Sequence, residues 1–193
     1  MGNQSIHKIL KNNPLVPVVT FQKEDSPEAF MDYLIQRNVF CIEITLRTEY
    51  GLKAIELLKK RFSDTIQVGA GTVINSSQVD QLKSIGADFI VSPGLTVDLF
   101  DCMMESEIPF LPGVATPSEI IQAQELGLKY LKFFPANLYG GVAALKMFGG
   151  LFPTIKFCPT GGITEETSKE YLELKNVVAV GGSWFEKDYT KKR

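Results

Sequence analysis

QVGAGTVINSSQVDQLKSIG, residues 67–86, holds one complete structural unit. QVGAGT (67–72) is a short β-rich run that ends on glycines. SSQVDQLKSIG (76–86) begins with Ser/Asn capping chemistry and closes on Gly, as a helix does. A strand followed at once by a capped helix is the building block of a parallel sheet. TPSEIIQAQELG (116–127) repeats that grammar, with Thr116 or Ser118 as the N-cap. Helical periodicity also marks SPEAFMDYLIQRN (26–38) and YGLKAIELLKKRF (50–62).

The strand half of the unit recurs along the chain. LVPVVT (15–20), CIEIT (41–45), FIVSPG (89–94), FLPGVAT (110–116), YLKFFP (130–135), IKFCPTGG (155–162) and VVAVGG (177–182) join QVGAGT to make eight. Strands alternating with helices at spacings of about 20–25 residues indicate βα units. Eight units predict a (β/α)₈ TIM barrel over residues 1–193 as a single domain, although most such barrels run to about 250 residues. A doubly wound open sheet is the alternative, disfavoured because no G-x-G-x-x-G follows the first strand.

Composition narrows the chemistry. The 193 residues are 45% hydrophobic and 22% charged, the balance of an ordinary soluble globular protein. Net charge is −2 with acids and bases interspersed, so there is no basic footprint for nucleic acid. The terminal KKR (191–193) reads as a solvated tail. No apolar run approaches the roughly 18 residues a membrane span needs, and Met1–Leu10 lacks a signal-peptide core. Cys41, Cys102 and Cys158 are odd in number and set in apolar segments, and read as reduced, buried cysteines of a cytoplasmic protein. His7, the one histidine, lies in the polar N-terminal segment. That leaves no His-rich metal site and no Ser-His-Asp or Cys-His nucleophile. Catalysis must run on Lys, Glu, Arg, Thr and backbone groups.

Polar and glycine-rich residues gather at the C-terminal ends of the strands: Glu43 and Arg47, Gly71-Thr72, Ser92-Pro93-Gly94, Thr116, Asn137, Thr160-Gly161-Gly162 and Gly181-Gly182-Ser183. Turn chemistry accounts for some of them, but not for their presence at every strand end. In a βα barrel that end carries the active site. Strand side chains alternate faces. Ile42 and Ile44 are thus expected against the helices, with Glu43 and Thr45 in the lumen. By the same parity Leu131 and Phe133 face the helices, and Lys132 with Phe134 faces inward. Two readings of Lys132 and Glu43 stand at this point. They form a buried ion pair, a weak stabiliser because desolvation offsets attraction. Alternatively, Lys132 is a desolvated amine used as a nucleophile on a carbonyl, with Glu43 moving protons.

EITLRT (43–48), GAGTV (69–73), SPG (92–94), LPGVATPSE (111–119), LKFFPA (131–136), FCPTGGI (157–163) and GGSW (181–184), in that order, closely resemble the 2-keto-3-deoxy-6-phosphogluconate (KDPG) aldolase family, often bifunctional as 4-hydroxy-2-oxoglutarate (KHG) aldolases. The resemblance runs from about residue 15 to residue 186. It implies a homotrimeric (β/α)₈ class I aldolase, a carbon–carbon lyase needing no metal and no cofactor, of the Entner–Doudoroff pathway. The expected reaction splits KDPG into pyruvate and glyceraldehyde 3-phosphate, and KHG into pyruvate and glyoxylate. By the same resemblance Lys132 is the Schiff-base lysine and Glu43 the acid/base. Arg47 and Thr72 hold the pyruvate carboxylate, and Pro93 and Phe134 wall the pyruvyl pocket. Thr160 meets the hydroxyl side of the substrate. Gly161, Gly162, Gly182 and Ser183 cradle the phosphate.

The chain departs from that pattern twice. Some relatives carry an arginine at the end of the first strand, where this chain has Thr20 and Phe21. The chain also stops at Arg193, where a final helix is expected, so that helix is read as missing or shortened. Two rival functions stand beside the aldolase: another phosphate-binding barrel enzyme, or a non-catalytic degraded barrel.

Overall fold

Every βα repeat read from the sequence is present in the computed structural model, which describes residues 2–62 and 65–190. The terminal KKR lies outside the described residues. The elements run α1 (Gly2–Asn12), β1 (Leu15–Val19), α2 (Pro27–Ile35), β2 (Cys41–Thr45), α3 (Gly51–Phe62), β3 (Gln67–Gly71), α4 (Ser76–Ile85), β4 (Phe89–Val91), α5 (Val97–Ser106), β5 (Phe110–Leu111) and β6 (Gly113–Val114). They continue through α6 (Pro117–Glu125), β7 (Tyr130–Phe133), α7 (Gly141–Leu151), β8 (Lys156–Pro159), α8 (Glu165–Leu172), β9 (Val180–Gly182) and α9 (Trp184–Thr190).

The predicted caps form. Asn75 accepts from the Gln78 N–H at 3.0 Å to start α4, and Gly86 ends it in the left-handed region at φ 70°. At α6 the cap is Thr116, not Ser118, and Glu119 closes a capping box by accepting from the Thr116 N–H at 2.8 Å.

All strand pairs are parallel, in two curled sheets: β5-β4-β3-β2-β1-β9 and β6-β7-β8. The ladders therefore do not run as one continuous eight-stranded ring. Pro112, which has no N–H to donate, divides the run 110–114 into β5 and β6. Its carbonyl still accepts from the Lys132 N–H at 2.8 Å. Among the described residues, β8 with Thr160 meets the chain at Val177 and at Gly181 of β9 through the isolated bridges Phe157↔Val177 and Thr160↔Gly181.

Apolar residues divide into two clusters. Ile42, Ile44, Leu131 and Phe133 pack outward with helix residues such as Phe30, Ile55 and Leu145. Val16, Cys41, Phe89, Val91, Leu111 and Cys158 point the other way and meet Ile6, Ile9 and Leu10 of α1. That helix is a correction, because the sequence reading left the N-terminal segment as merely polar. Its apolar residues fall at i, i+3 and i+4, so one face is buried. His7 stacks on Tyr130, the first residue of β7, at 5.1 Å. Burying Ile6, Ile9 and Leu10 contributes roughly 1.5–3 kcal/mol each.

Two further expectations change. Of the final helix expected to be missing or shortened, the described residues hold the seven of α9, anchored by buried Trp184 and Phe185, so it is not missing. Of the cysteines, Cys41 and Cys158 are buried, whereas Cys102 on α5 is only half-buried.

Candidate active site

The alternation of β2 and β7 aims Glu43 and Lys132 at one another from strands far apart in sequence. Lys132 Nζ donates to Glu43 Oε1 at 3.0 Å, and the residues are 5% and 3% exposed. Backbone registers hold them there. Lys132 lies opposite Gly113 on one side and Cys158 on the other, while Glu43 lies between Val18 and Gly69. A Cβ at Gly71 would strike the Glu43 carboxylate, so that glycine makes the room for the acid. Similarly, Gly113 lets the Pro93 carbonyl approach the strand beside Lys132.

Phe134 links the pair to the outside. Its ring centroid lies 5.2 Å from Lys132 Nζ. The same residue lines a cleft of ≈ 380 Å³ together with Arg47, Thr160, Gly161, Gly162, Gly182 and Ser183. Seven of the nine expected substrate-binding residues thus meet in one cavity. Thr72 and Pro93 do not line it. Thr72 directly follows Gly71 at the end of β3, and Pro93, just past β4, brings its carbonyl against Gly113. Thr72 holds φ 61°, a left-handed conformation that costs a β-branched residue on the order of 1–3 kcal/mol. Arg47 is exposed and borders both this cleft and a shallower groove carrying Lys23 and Lys53.

The glycine rim is built by close packing. Gly161 and Gly162 have φ of 104° and 69°. Their carbonyl side is tied to the loop after β7, where the Asn137 N–H donates to the Gly161 carbonyl at 3.2 Å. The absent Cβ of Gly162 leaves space for the Asn137 amide, and that of Gly182 for the Trp184 ring.

Three contacts around the pair and the cleft emerge only in the structure. Thr20 and Thr45 share a 2.7 Å hydrogen bond at the ends of β1 and β2. Cys158 is the strand partner of Lys132. Burial pushes its thiol up to about 12, outweighing the Lys132 cation and the Thr160 hydrogen bond, so at neutral pH it is an uncharged neighbour. Lastly, Glu186 of α9 lines the cleft. Parity in CIEIT already turns Thr45 inward beside Glu43, but no local signal distinguishes Glu186 from a solvated helix residue.

Chemically, the arrangement pairs a buried amine and a carboxylate within proton-transfer distance; neither lines the cleft itself, and Phe134 connects them to its lining of backbone groups, hydroxyls and, among the described residues, one guanidinium. A family model described as KDPG and KHG aldolase matches residues 6–193. The 2-dehydro-3-deoxy-phosphogluconate aldolase of Dickeya dadantii is 43% identical over 180 residues, 93% of this chain and 84% of the relative. Among solved structures, a KDPG aldolase from Legionella pneumophila, with pyruvate captured at low pH as a covalent carbinolamine intermediate, superposes with a TM-score of 0.89 at 39% identity. That match covers 95% of this chain and 91% of the other. The Zymomonas mobilis KDPG aldolase with 3-phosphoglycerate gives a TM-score of 0.90 at 37% identity, covering 94% and 86%.

Proposed function

The chain belongs to the KDPG and KHG aldolase family, and on that footing we propose that it is a class I aldolase releasing pyruvate from KDPG and, as a second substrate, from KHG. The observation that carries this is the buried Lys132–Glu43 contact at 3.0 Å, linked through Phe134 to the glycine-lined cleft. The carbinolamine captured in the Legionella relative supports imine chemistry at the equivalent step.

The geometry supports the following course of reaction. Lys132 passes a proton to Glu43 and attacks the C2 ketone as the neutral amine, forming a carbinolamine. Loss of water leaves an iminium ion. When the C4 hydroxyl gives up its proton, the C3–C4 bond breaks, the aldehyde departs and the electron pair moves into the iminium as an enamine. Glu43 is the acid/base for these transfers, directly or through water, and for protonating C3 of the enamine. Hydrolysis then returns pyruvate and the amine. Arg47 suits forked recognition of the pyruvyl carboxylate, Phe134 walls the pocket and Thr160 is assigned to the substrate hydroxyls. Thr72 and Pro93 stand outside the cleft's lining, and their parts in holding the carboxylate and walling the pyruvyl group rest on the family resemblance alone. Gly161, Gly162, Gly182 and Ser183 offer backbone N–H groups and a hydroxyl to the phosphate, in the place where barrels commonly bind one.

A pyruvate-coupled assay with KDPG tests the reading. Turnover that depends on added enzyme is expected, and its complete absence in folded protein would leave only a non-catalytic role or another phosphate-binding barrel activity.

We read residues 1–193 as one (β/α)₈ domain, with 110–114 as a single fifth strand interrupted at Pro112 and the bridges at Val177 and Gly181 closing the ring. A homotrimer is proposed as well. Exposed apolar side chains on and just before α7, Leu138, Met147 and Leu151 at 76%, 66% and 60%, support a covered surface there. Sedimentation equilibrium should give three times the 21.4 kDa chain mass, and a monomer at all concentrations would refute it. The unpaired cysteines favour a reducing, cytoplasmic setting, which cell fractionation would check. Among the described residues, no helix is long and apolar enough to cross a membrane.

A further inference from the structure

We propose that Glu186 sets the enzyme's discrimination by tail charge: it disfavours a dianionic phosphate at the far end of the substrate and narrows the gap between phosphorylated and unphosphorylated 2-keto-3-deoxy acids. This rests on the aldolase reading above and names the substrate class that the same cleft favours.

Glu186 lines the cleft beside Gly161, Gly162, Gly182 and Ser183, the residues assigned to the phosphate. Its helix brings it there directly, because α9 begins two residues after β9 and the Glu186 N–H donates to the Ser183 carbonyl at 3.3 Å. The carboxyl is held over the end of β1 by the backbone N–H of Thr20. Among the described residues Arg47 is the one cation lining the cleft, and the aldolase reading assigns it to the substrate carboxylate. With that carboxylate bound, the cleft lining offers Glu186 no further cation, since Lys187 lines the neighbouring cavity with Ser183 and Glu186 instead. Thr20, at the end of β1, supplies a hydroxyl already engaged with Thr45. Behind Glu186 stands another acid. Asp25 shares a second cavity with it, and Tyr189 and Thr190 of the same helix complete that wall. Burial first, and then Asp25, hold the Glu186 carboxyl above the ordinary glutamate range, as expected where anions crowd.

A phosphate ester carries about −1.5 to −2 charge at neutral pH. Placed in this cleft it meets a like charge, and repulsion of this kind is a device for rejecting a ligand. An unphosphorylated tail ends instead in a hydroxyl, which can donate to the carboxylate.

The test compares kcat/KM for KDPG with that for unphosphorylated 2-keto-3-deoxygluconate. In Glu186→Gln, which keeps the shape and an oxygen for the Thr20 N–H, the phosphorylated-to-unphosphorylated ratio should rise about tenfold, chiefly through a lower KM for KDPG. Glu186→Ala should move it the same way. Because the readout is a ratio within one protein, a loss of folded enzyme cancels from it. An unchanged or lower ratio in both variants overturns the proposal. Borohydride trapping of pyruvate by the wild-type enzyme separates the two levels: trapping with an unmoved ratio removes only the role of Glu186, whereas absence of trapping removes the aldolase reading and this inference with it.

Discussion

Lys132→Met should lose at least about 10⁴-fold in turnover and should form no borohydride-stable adduct with pyruvate. Methionine fills the same apolar slot but offers no amine, so the iminium that withdraws the electron pair from C3–C4 never forms. The neighbouring Cys158 cannot stand in for it. Its thiol is held up to about 12, chiefly by burial, and the lysine cation that partly opposes the burial is gone in the variant. A stability change should accompany the loss. Glu43, 3% exposed, keeps its carboxylate with no cation beside it. Breaking a buried pair from one side costs about 3–5 kcal/mol, whereas replacing both partners with neutral groups can be close to neutral. The double variant Lys132→Met/Glu43→Gln should therefore regain most of the stability in urea melts while remaining inactive. A pyruvate adduct mapped by mass spectrometry to any residue other than Lys132 would end the assignment.

For Glu43→Gln the expected result is a kcat lower by about 10²–10⁴-fold, the range for removing one positioned proton carrier, with pyruvate trapping retained. Glutamine occupies the space that Gly71 leaves, so packing should hold. The amine survives as the group that forms the adduct. Adduct formation and turnover should thus part company. An undiminished kcat would show that a different group moves the protons.

How far the sequence reached depends on how local each determinant is. Strand parity in CIEIT and YLKFFP is a property of the extended backbone, and it correctly turned Glu43 and Lys132 inward, with Ile42, Ile44, Leu131 and Phe133 against the helices. Caps at Asn75 and Thr116 are equally local. The α1 plug was missed although Ile6, Ile9 and Leu10 carry its period, because a single buried stripe in a polar helix is weak until something is seen to cover it. A helix after β9 is hard to read from a run as short as 184–190, and it is burial of Trp184 and Phe185 that anchors it.

By itself, then, the sequence determined the βα repeat, the inward face of each strand and the clustering of glycines and polar groups at one end, since these follow from backbone geometry within a few residues. Only the tertiary structure decided that Lys132 and Glu43, 89 residues apart, meet at 3.0 Å, that the ladder breaks at Pro112, and that Glu186 turns into the cleft instead of water. Those outcomes depend on how the sheets curl and where the last helix lands, and both are set by packing summed over the whole chain.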